Sequence, residues 1–159
     1  MCQKSLFMIA FFSEDTYFTL KQKRLVSKWL KEIAAQNGRR IGALNYIFCS
    51  DPYLLDINKQ FLGHDYLTDI ITFDNAPDYA GIYPANALSG DIYISIDTIR
   101  YNAQEYGEGF ERELHRVIAH GLLHLIGFDD TSARLQKEMR AQENKALELW
   151  NSLLATTEK

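Results

Sequence analysis

The sequence predicts an α+β fold, a single domain in which helices cover a mixed sheet. Strand-like and helix-like hydrophobic patterns alternate in the first half of the chain, and three helical patterns follow one another at the end. The size agrees, because 159 residues with 47% hydrophobic content can bury one substantial core. No internal repeat or linker-like run interrupts the chain. Residues 1–159 are therefore expected to form one domain.

In the first half, short apolar runs predict strands, and apolar residues at helical spacing predict helices. Asn37-Gly38 ends the first helix. Ser50, followed by Pro52, begins the second helix, which stops at Gly63. The predicted elements are a buried strand over 5–12, a helix from about 20 to 36, a strand over 41–49 and a helix over 50–63.

The second half begins with a polar loop and ends in three helices. Alternation of Ile92, Ile94 and Ile96 with polar residues predicts a strand, and Asp97 is expected to cap the helix after it. The predicted elements are a loop over 63–69, a strand over 70–73, a surface loop over 75–89, a strand over 90–96 and helices over about 97–107, 110–126 and 131–154.

The net charge is −4, but the charge is uneven. Residues 21–40 hold seven basic residues against the single acid Glu32, which gives +6 there and leaves −10 for the rest. Such a stretch is either a solvated helix face or a contact for a polyanion. Its basic residues are Lys21, Lys23, Arg24, Lys28, Lys31, Arg39 and Arg40.

The cysteines and the longest early apolar run indicate the compartment. Cys2 and Cys49 have no metal-type spacing and are expected to be free thiols, as in a reducing cytosol. The run from Leu6 to Phe12 is too short to span a bilayer. We therefore expect a soluble cytoplasmic protein without a membrane partner, and the sequence does not indicate an oligomeric state.

The chain's most informative stretch is residues 120–130. His120 and His124 are four residues apart, so on a helix the second ring lies about 40° around the axis from the first. Gly127 is placed to end the helix. The chain can then fold back and present Asp129 or Asp130 as a third ligand. This pattern predicts a metal site.

The same spacing occurs in the zinc-protease motif His-Glu-x-x-His, but the glutamate is missing. A metalloprotease or small-molecule hydrolase is a third class of function, and Gly121 disfavours the protease because it occupies the position of the general base. His115 lies about 140° around the helix from His120 and is excluded from the ligand set.

Residues 120–130 resemble the signature His-Gly-x-Leu-His-Leu-x-Gly-Tyr-Asp-His of the YbeY family, bacterial rRNA maturation factors and endoribonucleases. The chain differs from it at Phe128 and Asp130. Residues 68–73 resemble the family's Thr-Asp-Val-Leu-Ser-Phe, and residues 90–95 its Gly-Asp-Ile-x-Ile-Ser. The resemblance covers roughly residues 40–150.

The resemblance implies a zincin-like fold with a mixed sheet of about four strands and a metal-bearing helix. It implies one zinc per chain, held by His120, His124 and Asp130. The expected activity is cleavage of single-stranded RNA, in maturation of the 16S rRNA 3′ end on the small ribosomal subunit and in ribosome quality control. Two histidines and one carboxylate also suit Fe(II), so the residues leave the metal open.

Several residues are candidates for the chemistry. His64, Asp69 and Asp129 are possible proton acceptors, although His64 also fits an exposed loop, Asp69 a turn and Asp129 the orientation of a histidine ligand. Leu62 stands where the family has an arginine. An alternative function is a non-catalytic ribosome-assembly factor with a structural metal. The expected RNA contacts are Lys21, Lys23, Arg24, Lys28, Lys31 and Lys59.

Overall fold

A four-stranded mixed sheet forms the centre of the computed structural model, which describes residues 7–157. The strand order is β1-β2-β4-β3; β1, β2 and β4 run parallel, and β3 runs antiparallel to β4. The predicted α+β fold with about four mixed strands is confirmed. The strands are β1 (Met8–Ser13), β2 (Arg40–Cys49), β3 (Ile70–Asp74) and β4 (Ala87–Ser95).

Five α-helices occur in the described part of the chain. A π-helical turn, Asn58–Leu62, continues directly from the second of them, and a 3-10 turn, Ala76–Tyr79, lies in the predicted surface loop. None of the described helices combines the length and apolarity needed to cross a bilayer. The helices are α1 (Lys23–Gln36), α2 (Asp51–Ile57), α3 (Ile96–Glu105), α4 (Phe110–Ile126) and α5 (Ala133–Thr157).

The main core lies between one face of the sheet and the helices α1, α4 and α5. Because side chains alternate along a strand, every second residue of β2 points into it, namely Leu44, Tyr46 and Phe48. A smaller cluster, which includes Leu54 and Ile71, packs with α2 on the opposite face. This face also buries Cys49, which is a free thiol as predicted, whereas Cys2 lies outside the described residues.

Two hydrogen bonds to backbone carbonyls of α4, one in its middle and one at its C-terminal end, position this helix on the sheet. The Tyr46 hydroxyl donates a hydrogen bond of 2.8 Å to the Ile118 carbonyl, and Arg39 donates through Nη1 to the Ile126 carbonyl at 3.3 Å. Gly121 lies so close to the sheet that a Cβ there would sit 2.9 Å from Ile92 Cγ2. The glycine therefore permits close helix–sheet approach.

The opening strand differs from its prediction. Of the predicted 5–12, the part before residue 7 lies outside the described residues. The remainder is not a buried strand, because β1 is an edge strand with β2 as its neighbour, and Met8 and Phe12 are exposed. Hydrophobic content alone does not reveal whether a strand has one neighbour or two.

The predicted boundary between β4 and α3 was also wrong. The strand begins at Ala87 and ends at Ser95, whose hydroxyl accepts a hydrogen bond of 3.2 Å from the Thr98 N–H. Ser95 is therefore the N-cap, and Ile96 and Asp97 belong to the first turn of α3. The alternating isoleucines continued past the strand because Ile96 is buried in the same core.

Candidate metal centre

Helix α4 and the turn after it bring three ligating side chains together. The rings of His120 and His124 have centroids 4.5 Å apart. Gly127, with φ of 125°, caps the helix and turns the chain, and its N–H reaches the His124 carbonyl at 3.1 Å. Asp130 then returns, so that its Oδ2 lies 3.5 Å from His120 Nε2 and 3.6 Å from His124 Nε2.

These distances fit a tetrahedral ion. Ligand bonds of about 2.0–2.1 Å at tetrahedral angles separate the ligand atoms by about 3.3 Å. The three donor atoms all lie within 4.8 Å of one another. Among the described residues, no fourth histidine, cysteine or carboxylate joins this group. A zinc ion held by these three ligands would keep a coordination position open, as catalytic zinc sites do, whereas structural zinc usually has four protein ligands.

Glu143 of α5 holds His120 in position. Its Oε2 accepts a hydrogen bond of 2.8 Å from His120 Nδ1. Burial lowers the pKa of His120, but the hydrogen bond and charge of Glu143, together with the charges of Asp69 and Asp130, outweigh it, so that the net pKa is raised. With Nδ1 engaged by the carboxylate, Nε2 is the nitrogen presented to Asp130 and to an ion.

Glu143 belongs to a buried charged network beneath the site. Arg116 of α4 lies 3.5 Å from Glu143 Oε1, and Arg140 lies 3.6 Å from the same oxygen. Arg116 also contacts Glu108 at 3.4 Å and Glu113 at 3.8 Å. Burial raises the pKa of Glu113, an effect that Arg116 opposes. The paired charges allow a carboxylate to remain beneath His120 at low solvent exposure.

Sequence reasoning missed Glu143 and Arg116. A signal was available, because Glu143 lies in the apolar stripe of α5 between Met139 and Ala146, all three of which are buried. A charged residue on an apolar stripe requires a buried partner. Arg116 is likewise buried on α4, one helical turn before His120.

The three ligands open into a cleft of about 440 Å³. Two of the predicted catalytic residues, His64 and Asp69, line it as well. Burial raises the pKa of Asp69, and the charge of His120 opposes this. Leu62 also lines the cleft, from the end of the π-helical turn.

Asp129, the third predicted catalytic residue, is not among the residues that line this cleft. It is exposed, and its carboxylate accepts hydrogen bonds from the Asp130 N–H at 2.7 Å and from Thr131 Oγ1 at 3.2 Å. These bonds shape the turn that brings Asp130 back towards the histidines.

The predicted RNA contacts lie in three places. A groove of about 760 Å³ between α1 and β1 is lined by Lys23, Arg24, Lys28 and Lys31. The groove is lined in part by β1 and the cleft of the metal centre in part by β3. These are the two edge strands of the sheet, about three strand spacings or about 14 Å apart. Lys21 borders a different depression, next to His115 and Trp150. Lys59 pairs with Asp65 at 3.2 Å.

The family model described as Endoribonuclease YbeY matches residues 9–151 of this chain. The chain belongs to the YbeY family. A relative from Phocaeicola vulgatus, named Endoribonuclease YbeY, is 45% identical over 142 residues, which are 89% of this chain and 98% of the relative. One of the same name from Cytophaga hutchinsonii is 48% identical over 141 residues, which are 89% of this chain and 94% of the relative.

The fold is similar to a solved structure. The solution structure of TM1509 from Thermotoga maritima has a TM-score of 0.61 and 29% sequence identity to this chain. The similarity covers 94% of this chain and 93% of that one. The candidate metal centre therefore lies in a fold that the two proteins share along almost the whole chain.

Proposed function

We propose that this protein is a zinc-dependent endoribonuclease that cleaves single-stranded RNA. In this proposal it matures the 3′ end of 16S rRNA on the small ribosomal subunit, takes part in ribosome quality control and acts in the cytoplasm. The family supports the RNA substrate, since relatives carry the name Endoribonuclease YbeY. The observation that carries the proposal is the group of His120, His124 and Asp130 with one position open towards a cleft.

The residues of the site would divide the chemistry among them. The two histidines and Asp130 would hold one zinc ion, which when bound supplies a Lewis acid and an activated water. Glu143 keeps the His120 ring in the ligating orientation. The carboxylate ligand adds negative charge beside the ion, and this charge makes the ion a weaker Lewis acid than it would be with three histidine ligands. Fe(II) suits the same ligands.

Asp69 is our candidate for the proton acceptor. Its side chain lines the cleft together with the ligands. Burial raises the pKa of Asp69 towards the range in which a carboxylate is an effective general base at neutral pH. His64 lines the same cleft but is exposed. Asp129 forms the turn instead, so we assign it the shaping of the ligand loop.

The α1 groove is the proposed contact for the RNA backbone. Four exposed cations border it against the single acid Glu32. Clustered lysine and arginine side chains attract phosphates without regard to base sequence. An RNA strand that contacts both this groove and the metal centre would cross about 14 Å of the width of the β-sheet.

One observation favours a non-catalytic assembly factor with a structural metal. Leu62 lines the cleft at the position of the family arginine and supplies no charge for a phosphate. The three-ligand set favours catalysis, because structural zinc usually has four protein ligands. A peptidase is disfavoured by Gly121, where a side chain would meet Ile92 and Ile70 at about 3 Å.

The test measures cleavage of single-stranded RNA and of peptides by the purified, zinc-loaded protein. We expect cleavage of single-stranded RNA, no cleavage of peptides, and loss of RNA cleavage in His124→Ala with unchanged circular dichroism. Binding to small ribosomal subunits without cleavage of any RNA would overturn the nuclease proposal in favour of an assembly factor. Equal cleavage by wild type and His124→Ala would show that the activity does not use this centre.

A further inference from the structure

The loop beside the metal centre exposes an unusual amount of apolar surface. Eleven large hydrophobic residues are exposed in the described chain, and four of them lie within residues 61–67. A group of exposed apolar side chains beside a cleft indicates a binding surface, because the free energy falls when a ligand covers this apolar surface. The four residues are Phe61, Leu62, Tyr66 and Leu67.

Two aromatic rings of this loop form a pair at the rim of the cleft. The rings of His64 and Tyr66 are nearly parallel, with an interplanar angle of 19° and centroids 5.1 Å apart. The Tyr66 hydroxyl and His64 Nδ1 are 3.0 Å apart, at hydrogen-bonding distance. Tyr66 nevertheless keeps 57% of its surface exposed. Both residues line the same cleft as the metal ligands.

The loop that carries this ring pair is held by a buried asparagine. Asn58 is only 1% exposed and donates through Nδ2 to the Tyr66 carbonyl at 2.9 Å. The Asn58 carbonyl accepts from the His64 N–H at 3.2 Å. The backbone is therefore anchored at both ring-bearing residues. An anchored loop loses less conformational entropy when a ligand binds.

We propose that the His64–Tyr66 ring pair is a binding subsite for an unpaired nucleobase of the RNA strand in the cleft. This inference rests on the proposed function. Exposed aromatic rings stack on bases of any identity, because every base has a π-face. Only a base outside a duplex can splay out to reach such a ring. The subsite thus gives a physical basis for selecting single strands next to the metal centre.

A stacking role makes predictions that differ from those of a charged contact. Tyr66→Ala removes the ring without changing the net charge. This substitution should therefore raise Kd without changing the slope of log Kd against the logarithm of the salt concentration. Lys28→Ala removes a cation of the α1 groove and should reduce that slope by about 0.7.

The experiment measures binding apart from cleavage. A fluorescent single-stranded oligoribonucleotide of about twelve residues, with phosphorothioate linkages to slow hydrolysis, is titrated with zinc-loaded protein and followed by anisotropy. Tyr66→Ala is expected to raise Kd about five- to a hundredfold, while Tyr66→Phe, which keeps the ring, stays within about threefold of wild type. Tyr106→Ala is the matched control, because Tyr106 is 65% exposed and does not line the cleft.

A second oligomer of the same length, with abasic residues throughout, isolates the role of the base. Its binding is expected to be weak and equal for wild type and Tyr66→Ala. If Tyr66→Ala weakens binding to both oligomers equally, the ring contacts the backbone and the base subsite is refuted.

The outcomes separate this inference from the function on which it rests. Wild-type protein that binds no single-stranded RNA would overturn the proposed function together with the subsite. Wild-type protein that binds RNA, with Tyr66→Ala equal to Tyr106→Ala in Kd, would overturn the subsite alone. Melting temperatures that match among the tyrosine variants show that a change in Kd does not come from unfolding.

Discussion

Replacing Glu143 by glutamine perturbs the metal centre without touching a ligand. Glutamine has nearly the same shape, so His120 Nδ1 keeps a possible acceptor but loses the charge-assisted bond of 2.8 Å. Arg116 keeps Glu108 and Glu113 as anionic partners, so the buried network does not lose all its compensation. The change therefore reports on orientation and basicity of His120 rather than on the fold.

The size of the effect follows from the geometry. Outer partners of metal-bound histidines contribute about 10- to 100-fold to metal affinity, or about 1.4–2.7 kcal/mol. Because glutamine can still accept a weaker hydrogen bond, we expect Glu143→Gln to weaken zinc binding about tenfold. Glu143→Ala leaves no acceptor, and its effect should approach a hundredfold.

The assay is a competition titration in which the protein and a chromophoric chelator compete for zinc. Glu148→Gln is the control, since Glu148 is exposed on the same helix and its replacement changes the net charge equally. Thermal melts in chelator verify that each variant folds. Zinc affinity in Glu143→Gln within about twofold of Glu148→Gln would refute the positioning role.

Three further changes probe other parts of the account. Asp130→His removes an anion from the ligand set, so the rise of the RNA-cleavage rate with pH should shift about one unit lower, and an unshifted profile would contradict this. Gly121→Glu places a carboxylate against Ile92 and Ile70 and should lower the free energy of unfolding in urea by more than about 3 kcal/mol; full stability would refute the close packing. Burial lowers the pKa of His115 to about 4, so the unfolded chain takes up this proton first as the pH falls. Stability of the metal-free protein should therefore decrease by up to about 3 kcal/mol between about pH 6.5 and 4 through this residue, and His115→Phe should lack that part of the decrease. Parallel pH curves for His115→Phe and wild type would contradict the buried neutral histidine.

The grouping of His120, His124 and Asp130 was predictable because most of its determinants are local. A helical spacing of four residues brings His120 and His124 to one face, and Gly127 ends the helix at the next turn. Spacing alone did not choose between Asp129 and Asp130; the family resemblance pointed to Asp130, which the structure places beside the histidines. The alternation of Ile92 and Ile94 likewise identified the face of β4 that lies in the core.

Features that depend on distant parts of the chain were not predictable in this way. Glu143 of α5 and His120 of α4 are 23 residues apart in the sequence. The apolar stripe of α5 marks Glu143 as inward-facing, but it does not identify His120 as its partner. The exposure of β1 follows from its place at the sheet edge, which is set by strand order. The ring pair of His64 and Tyr66 depends on loop geometry that Asn58 fixes from the preceding π-helical turn.

The most direct test of a metal-dependent nuclease is to restore zinc stepwise to protein stripped with a chelator while measuring RNA cleavage. We predict no cleavage without metal, a linear rise with added zinc and saturation at one zinc per chain. The same titration of Asp130→Ala should give weaker binding and little cleavage. Cleavage by the stripped protein, or stoichiometric zinc binding without cleavage of any single-stranded RNA, would contradict the account.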